Sequence, residues 1–163
     1  MKDIIVLSRT VPDGPEVYGD SVTIHEGDNN MLGHWDGSAC PNGRYYNKQT
    51  GQWLRYQELY GWMAPGDYSG KVINHERKYG KSILLADGGK LPARYPNPNR
   101  RSSYFGTPFV AEIFIHKGFS VTCRGSAACI TIHPQQWASF IDHFVLGELV
   151  TVRLRDMLRS TGR

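Results

Sequence analysis

Ile113-Phe114-Ile115-His116-Lys117-Gly118 and Gly125-Ser126-Ala127-Ala128-Cys129-Ile130-Thr131-Ile132 are the two stretches on which the reading of this chain turns. A histidine closes the first apolar run, and a cysteine among small residues opens the second. The pattern predicts strands over 109–116 and 130–132 joined by a loop over 117–128. Two neighbouring strands would set the imidazole beside the thiol, and a Cys–His pair is one way to build an acyl-transfer nucleophile. The imidazole takes the thiol proton and favours the thiolate. Backbone N–H groups must also face the developing oxyanion. The small side chains of Ser126, Ala127 and Ala128 leave the main chain open to a substrate, and the amides of Ala128 and Cys129 are the candidate donors. Arg124, between loop and site, is a candidate for holding a substrate carboxylate. A solvated surface role is the commoner fate of such an arginine.

Working outward, Pro134 suits a first helical turn and Gly147 a stop. Between them Trp137, Phe140, Ile141, Phe144 and Val145 follow the i, i+3, i+4, i+7, i+8 spacing of one buried helix face. Further strands are expected over 4–7, 21–25, 81–85 and 148–154. Residues 26–44 are rich in Gly, Asp and Asn and read as loop, and 61–70 as a turn region. Residues 53–60 fit either a short helix or an irregular aromatic segment. Residues 91–106, with Pro92, Pro96, Pro98 and the basic pair Arg100-Arg101, read as a long polar loop. Loops of that length are often lids, and Tyr95, Tyr104 and Phe105 are candidates to line a cleft beside it. The expected architecture is one mostly β domain over 1–163 with one well-defined helix near its C-terminal end.

The 163 residues are enough to bury a sizeable core. The longest apolar runs, such as Ile4-Ile5-Val6-Leu7, are too short to span a membrane as a helix or to form a secretory signal. A net charge of +4 suits an acidic partner such as cell wall, nucleic acid or a membrane surface. Arg153, Arg155, Arg159 and Arg163 gather at the C-terminus, but no nucleic-acid-binding motif accompanies them. Three cysteines leave at least one thiol unpaired within the chain, and a Cys123–Cys129 bridge would compete directly with a nucleophile at Cys129. The six histidines show no His-Glu-x-x-His pattern or comparable ligand spacing, so no metal or cofactor is expected.

Four elements in order resemble the L,D-transpeptidase (YkuD-like) catalytic domain. Cys40-Pro41-Asn42-Gly43-Arg44-Tyr45-Tyr46 is similar to that family's turn entering a central strand. Ile115-His116-Lys117-Gly118 is similar to its histidine element, Ser126-Ala127-Ala128-Cys129-Ile130 to its cysteine signature, and Gly147-Glu148-Leu149-Val150-Thr151-Val152 to its last strand. Ala127, Ala128 and Thr131 stand where the family usually has His, Gly and Arg, which places the chain in a divergent, phage- or toxin-like branch of the resemblance.

The resemblance implies a β-sandwich with the Cys–His site in a cleft. It implies that Cys129 attacks the bond between diaminopimelate and D-alanine in a peptidoglycan stem peptide. His116 acts as base and then acid, and Gly118 supplies the carbonyl that orients it. Water resolves the thioester by hydrolysis, a second amine by transpeptidation. It further implies a protein made in the cytoplasm that acts in the periplasm or cell wall after delivery by an export system, with an immunity protein as a further possible partner. The competing reading is a non-catalytic structural or binding module, such as a phage particle component. A metal hydrolase is a third.

Overall fold

Alternation of buried and accessible residues runs along four of the long strands. A computed structural model describes residues 1–10, 16–55, 62–94, 109–126 and 128–157. In β1 (Lys2–Ser8), Ile4 and Val6 are buried; in β2 (Asp20–Glu26), Val22 and Ile24. In β7 (Gly66–His75) the buried set is Tyr68, Gly70 and Val72, and in β13 (Leu149–Asp156) it is Val150, Val152 and Leu154. A period of two means that each strand gives one face to a core and the other to solvent. The remaining barrel strands are β3 (Met31–Ser38), β8 (Gly80–Leu85), β11 (Phe114–Lys117) and β12 (Ile130–Ile132).

These eight strands close on themselves in the order β1-β13-β7-β8-β11-β12-β3-β2. The expected β-sandwich is therefore overturned. β1 pairs in parallel with β13, Lys2 opposite Val150, and antiparallel with β2, Lys2 opposite Glu26, so neither side of β1 is an edge. Closure removes the unpaired edges that an open sheet exposes. Alternation along single strands is the same in a sandwich and in a barrel, so it could not distinguish them.

Two smaller sheets lie outside the barrel. β4 (Arg44–Asn47) pairs with β5 (Gln52–Arg55), while β9 (Leu91–Arg94) joins β6 (Trp62–Met63) to β10 (Phe109–Val110). Residues 26–44 thus contain a barrel strand where loop was expected. Gly33 and Gly37 are required there by close approach: a Cβ on Gly33 would stand 2.5 Å from the Trp35 ring, and one on Gly37 would stand 2.7 Å from the Thr131 carbonyl oxygen. The 61–70 turn region holds β6 and the start of β7, and 91–106 opens with β9. Tyr95, Arg100, Arg101, Tyr104, Phe105, Ala127, Arg159, Arg163 and residues 56–60 lie outside the described residues.

The strand expected over 109–116 is two strands, β10 and β11, broken where Glu112 adopts φ 53°. A left-handed backbone at a non-glycine residue is uncommon and reverses the chain locally. The helix is also shorter than its apolar spacing predicts: α1 covers Trp137–Ile141. Phe140, Ile141 and Phe144 join the core, with the Phe140 ring edge-on to Trp35 at 5.4 Å, but Val145 is exposed. Past Ile141 the chain turns instead, and Gly147 at φ 87° leads it into β13. Among the described residues no helix is long and apolar enough to cross a membrane.

Candidate active site

On β11 and β12 the alternation stops. Ile115 and Ile130 lie side by side and face the core, as their parallel register requires. Their neighbours His116 and Thr131, paired with each other, point to the outer face yet are only 3% and 0% exposed. Something must cover the barrel wall here. Part of the cover comes from the β7–β8 hairpin, whose Tyr79 ring lies on His116.

His116 is fixed on two sides. Its Nδ1 lies 2.8 Å from the Lys117 carbonyl oxygen. A carbonyl only accepts, so in the neutral ring Nδ1 carries the proton and Nε2 keeps the lone pair. Nε2 is buried and makes no hydrogen bond among the described residues. Burial, with smaller contributions from Lys78 and His75, lowers the pKa of His116 to about 4 against the opposing Lys117 hydrogen bond. The ring is therefore neutral at pH 7 and presents a basic nitrogen. The orienting carbonyl belongs to Lys117, one residue before the Gly118 expected for that role. Gly118 instead joins the crossover to the barrel. Its N–H donates to the Ile132 carbonyl at 2.9 Å, and a Cβ there would meet the Tyr18 hydroxyl at 2.0 Å.

Cys129 ends the crossover one residue before β12. Continuing the parallel register places it beside Phe114, whose N–H donates to Cys129 Sγ at 3.3 Å. The thiol faces the Glu112 carbonyl at 3.9 Å. Cys129 therefore lies just ahead of the strand that pairs with β11, its Sγ turned toward the Phe114 N–H and the Glu112 carbonyl. Desolvation raises the pKa of the Cys129 thiol to about 11, only partly offset by the Phe114 N–H and the charge of Lys78. The resting pair is a thiol and a neutral imidazole, so proton transfer must accompany attack. None of Cys40, Cys123 and Cys129 is in a disulfide, so no Cys123–Cys129 bridge forms.

No family model, curated protein or solved structure matches this chain.

The crossover is stapled to residues 38–42. Ser126 and Asn42 exchange backbone hydrogen bonds at 2.8 Å, and the Arg124 N–H donates to Asn42 Oδ1 at 2.9 Å. The Ser126 hydroxyl donates to the Cys129 carbonyl at 2.7 Å, closing the turn that delivers the cysteine. Arg124 is 2% exposed. Its Nη1 donates to the Val17 carbonyl at 2.7 Å and Ser38 Oγ at 2.8 Å, and its Nη2 to the Pro41 carbonyl at 3.3 Å. Its charge is offset in part by Asp20, itself buried and accepting from the Arg9, Thr10 and Ala39 amides. Ala128 packs into the core. The stretch expected as a turn into a central strand instead leads into β4, outside the barrel, while Asn42 holds the crossover.

A cleft of about 610 Å³ opens beside His116, walled among others by Gly43, Lys78, Tyr79, Phe119 and Trp137. Gly118 and Arg124 also reach its wall, whereas Cys129 is not part of it. Among the described residues no group of three or more His, Cys, Asp or Glu side chains could hold a metal ion. Sequence reading missed Lys78, Tyr79 and Asn42. Glu76-Arg77-Lys78-Tyr79-Gly80 reads only as a polar turn, and nothing local ties it to a histidine so far along the chain.

Proposed function

We propose that this chain is a cysteine enzyme acting on peptidoglycan stem peptides at the bond between diaminopimelate and D-alanine. The observation that carries the proposal is the His116 tautomer: Nδ1–H donates to the Lys117 carbonyl and leaves Nε2 as a base on the strand that pairs with the one Cys129 precedes. In the first step Nε2 accepts the thiol proton as Cys129 Sγ bonds to the substrate carbonyl carbon. The carbonyl π electrons move to oxygen. Collapse of that oxyanion expels the amine of D-alanine, which takes the proton from His116, and a thioester remains. Water or a second amine then attacks the thioester, regenerating the thiol. The Phe114 N–H stabilises negative charge on sulfur during the cycle. On this reading the protein works in the periplasm or wall after delivery.

A second reading, a non-catalytic module, draws on the low exposure of Cys129, its raised pKa and its absence from the cleft wall. Digestion of purified muropeptides by wild type and Cys129→Ala, followed by mass spectrometry, separates the two. Loss of D-alanine with the wild type alone supports the enzyme. Exchanged or cross-linked products assign transpeptidation. Untouched substrates with both proteins favour the module.

A further inference from the structure

Among the described residues the charged groups on the cleft wall are Lys78, Lys117 and Arg124, with no carboxylate. Such a wall attracts an anion. Arg124 spends both terminal nitrogens on Val17, Ser38 and Pro41. Lys117 lends its carbonyl to His116 and carries its exposed side chain at the rim. Lys78, at the tip of the β7–β8 hairpin, has its ammonium 5.2 Å from the Tyr79 ring centroid, and that ring stacks on His116 at 4.0 Å. Among the described residues Lys78 makes no ion pair. Its charge acts on both His116 and Cys129, so it stands within electrostatic reach of both members of the pair.

We infer that Lys78 holds a free carboxylate of the ligand entering the cleft and thereby selects peptides that carry one near the scissile bond. This rests on the proposed function and names the recognition element of that site. The aromatic ring beneath the ammonium limits its directions, and an incoming carboxylate gains a charge-assisted hydrogen bond beside a low-dielectric wall. A stem tetrapeptide offers three such carboxylates, that of D-isoglutamate, that at the end of the diaminopimelate side chain and that of the terminal D-alanine.

The test is calorimetric binding of the tetrapeptide L-Ala-D-isoglutamate-diaminopimelate-D-Ala to the Cys129→Ala protein, which separates recognition from turnover. Three further ligands carry an amide in place of one carboxylate each. One of the amides is expected to bind about fivefold more weakly, the size of a partly exposed ion pair, and its identity names the carboxylate. That discrimination disappears when Lys78→Met is added and survives Lys78→Arg. Equal binding of acid and amides, unchanged discrimination in Lys78→Met, or no binding of any ligand overturns the inference. Failure of the enzyme reading looks different: Lys78-dependent discrimination would persist while the wild type released no D-alanine. Conversely, release that needs Cys129 but proceeds with unchanged kcat/KM in Lys78→Met would overturn the carboxylate site alone.

Discussion

The Tyr79 ring lies almost flat on the His116 imidazole, centroids 4.0 Å apart and planes 13° from parallel. Tyr79 reaches there from the tip of a hairpin and also meets Phe114 at 5.5 Å and His75 at 4.9 Å. The imidazole is therefore covered by side chains from a distant turn and oriented by the carbonyl of its own neighbour.

Removing that cover should restore water to the ring. In Tyr79→Leu the His116 pKa is expected to rise from about 4 toward its ordinary 6.5, because desolvation is the main cause of its depression. Titration of the imidazole ring protons by NMR reads this directly. An unchanged value would place the desolvation elsewhere.

The same depression makes stability depend on pH. His116 is neutral in the folded chain down to about pH 4, whereas the unfolded chain binds a proton below 6.5. The unfolded state therefore holds more protons in that window, and stability falls as pH drops through it, by at most about 3 kcal/mol. Above 6.5 the effect vanishes. The charges bearing on His116 are Lys78 and His75, and both act in the same direction as burial. Urea unfolding at pH 4.5 and pH 7 should show a steeper loss for wild type than for His116→Gln. The proposed activity should likewise persist to about pH 5 and fail below about pH 4, as Nε2 is protonated.

Arg124 ties the crossover to Val17, Ser38 and Pro41 through three hydrogen bonds from a buried guanidinium. Arg124→Met leaves those acceptors unpaired and Asp20 without its offsetting charge. A loss of about 2–4 kcal/mol in denaturant unfolding is expected. Arg124→Lys should recover little, since one ammonium cannot span acceptors on three residues.

The three thiols should differ in reactivity. Cys123 is half-buried, while Cys40 and Cys129 are buried. Iodoacetamide at pH 7.5 should mark Cys123 first in the folded protein. With its pKa raised from 9.0 to about 11, Cys129 should react about a hundredfold more slowly than an ordinary thiol. Peptide mass mapping over time gives the order, and rapid labelling of Cys129 would contradict the burial described.

Much of the fold is legible in local patterning. Ile4-Ile5-Val6-Leu7 and Leu149-Val150-Thr151-Val152 read as strands because a pleated strand alternates its faces and β-branched residues fill them. Trp137, Phe140, Ile141 and Phe144 read as a helical face, although the chain turns after Ile141. The segment 31–38 read as loop because Gly33 and Gly37 are turn residues in isolation. They belong to a strand because Trp35 and the Thr131 backbone leave no room for a Cβ.

The sequence by itself determined that the chain is mostly β, with His116 and Cys129 at facing ends of neighbouring apolar runs, since period and composition are properties of adjacent residues. Only the tertiary structure decided that the strands close into a barrel, through the pairing of Lys2 with Val150. It also decided that Tyr79 and Lys78 overhang His116, and that Lys117 and not Gly118 orients the ring. Those relationships join residues far apart along the chain, or turn on which carbonyl a ring nitrogen meets, and neither leaves a periodic trace in the sequence.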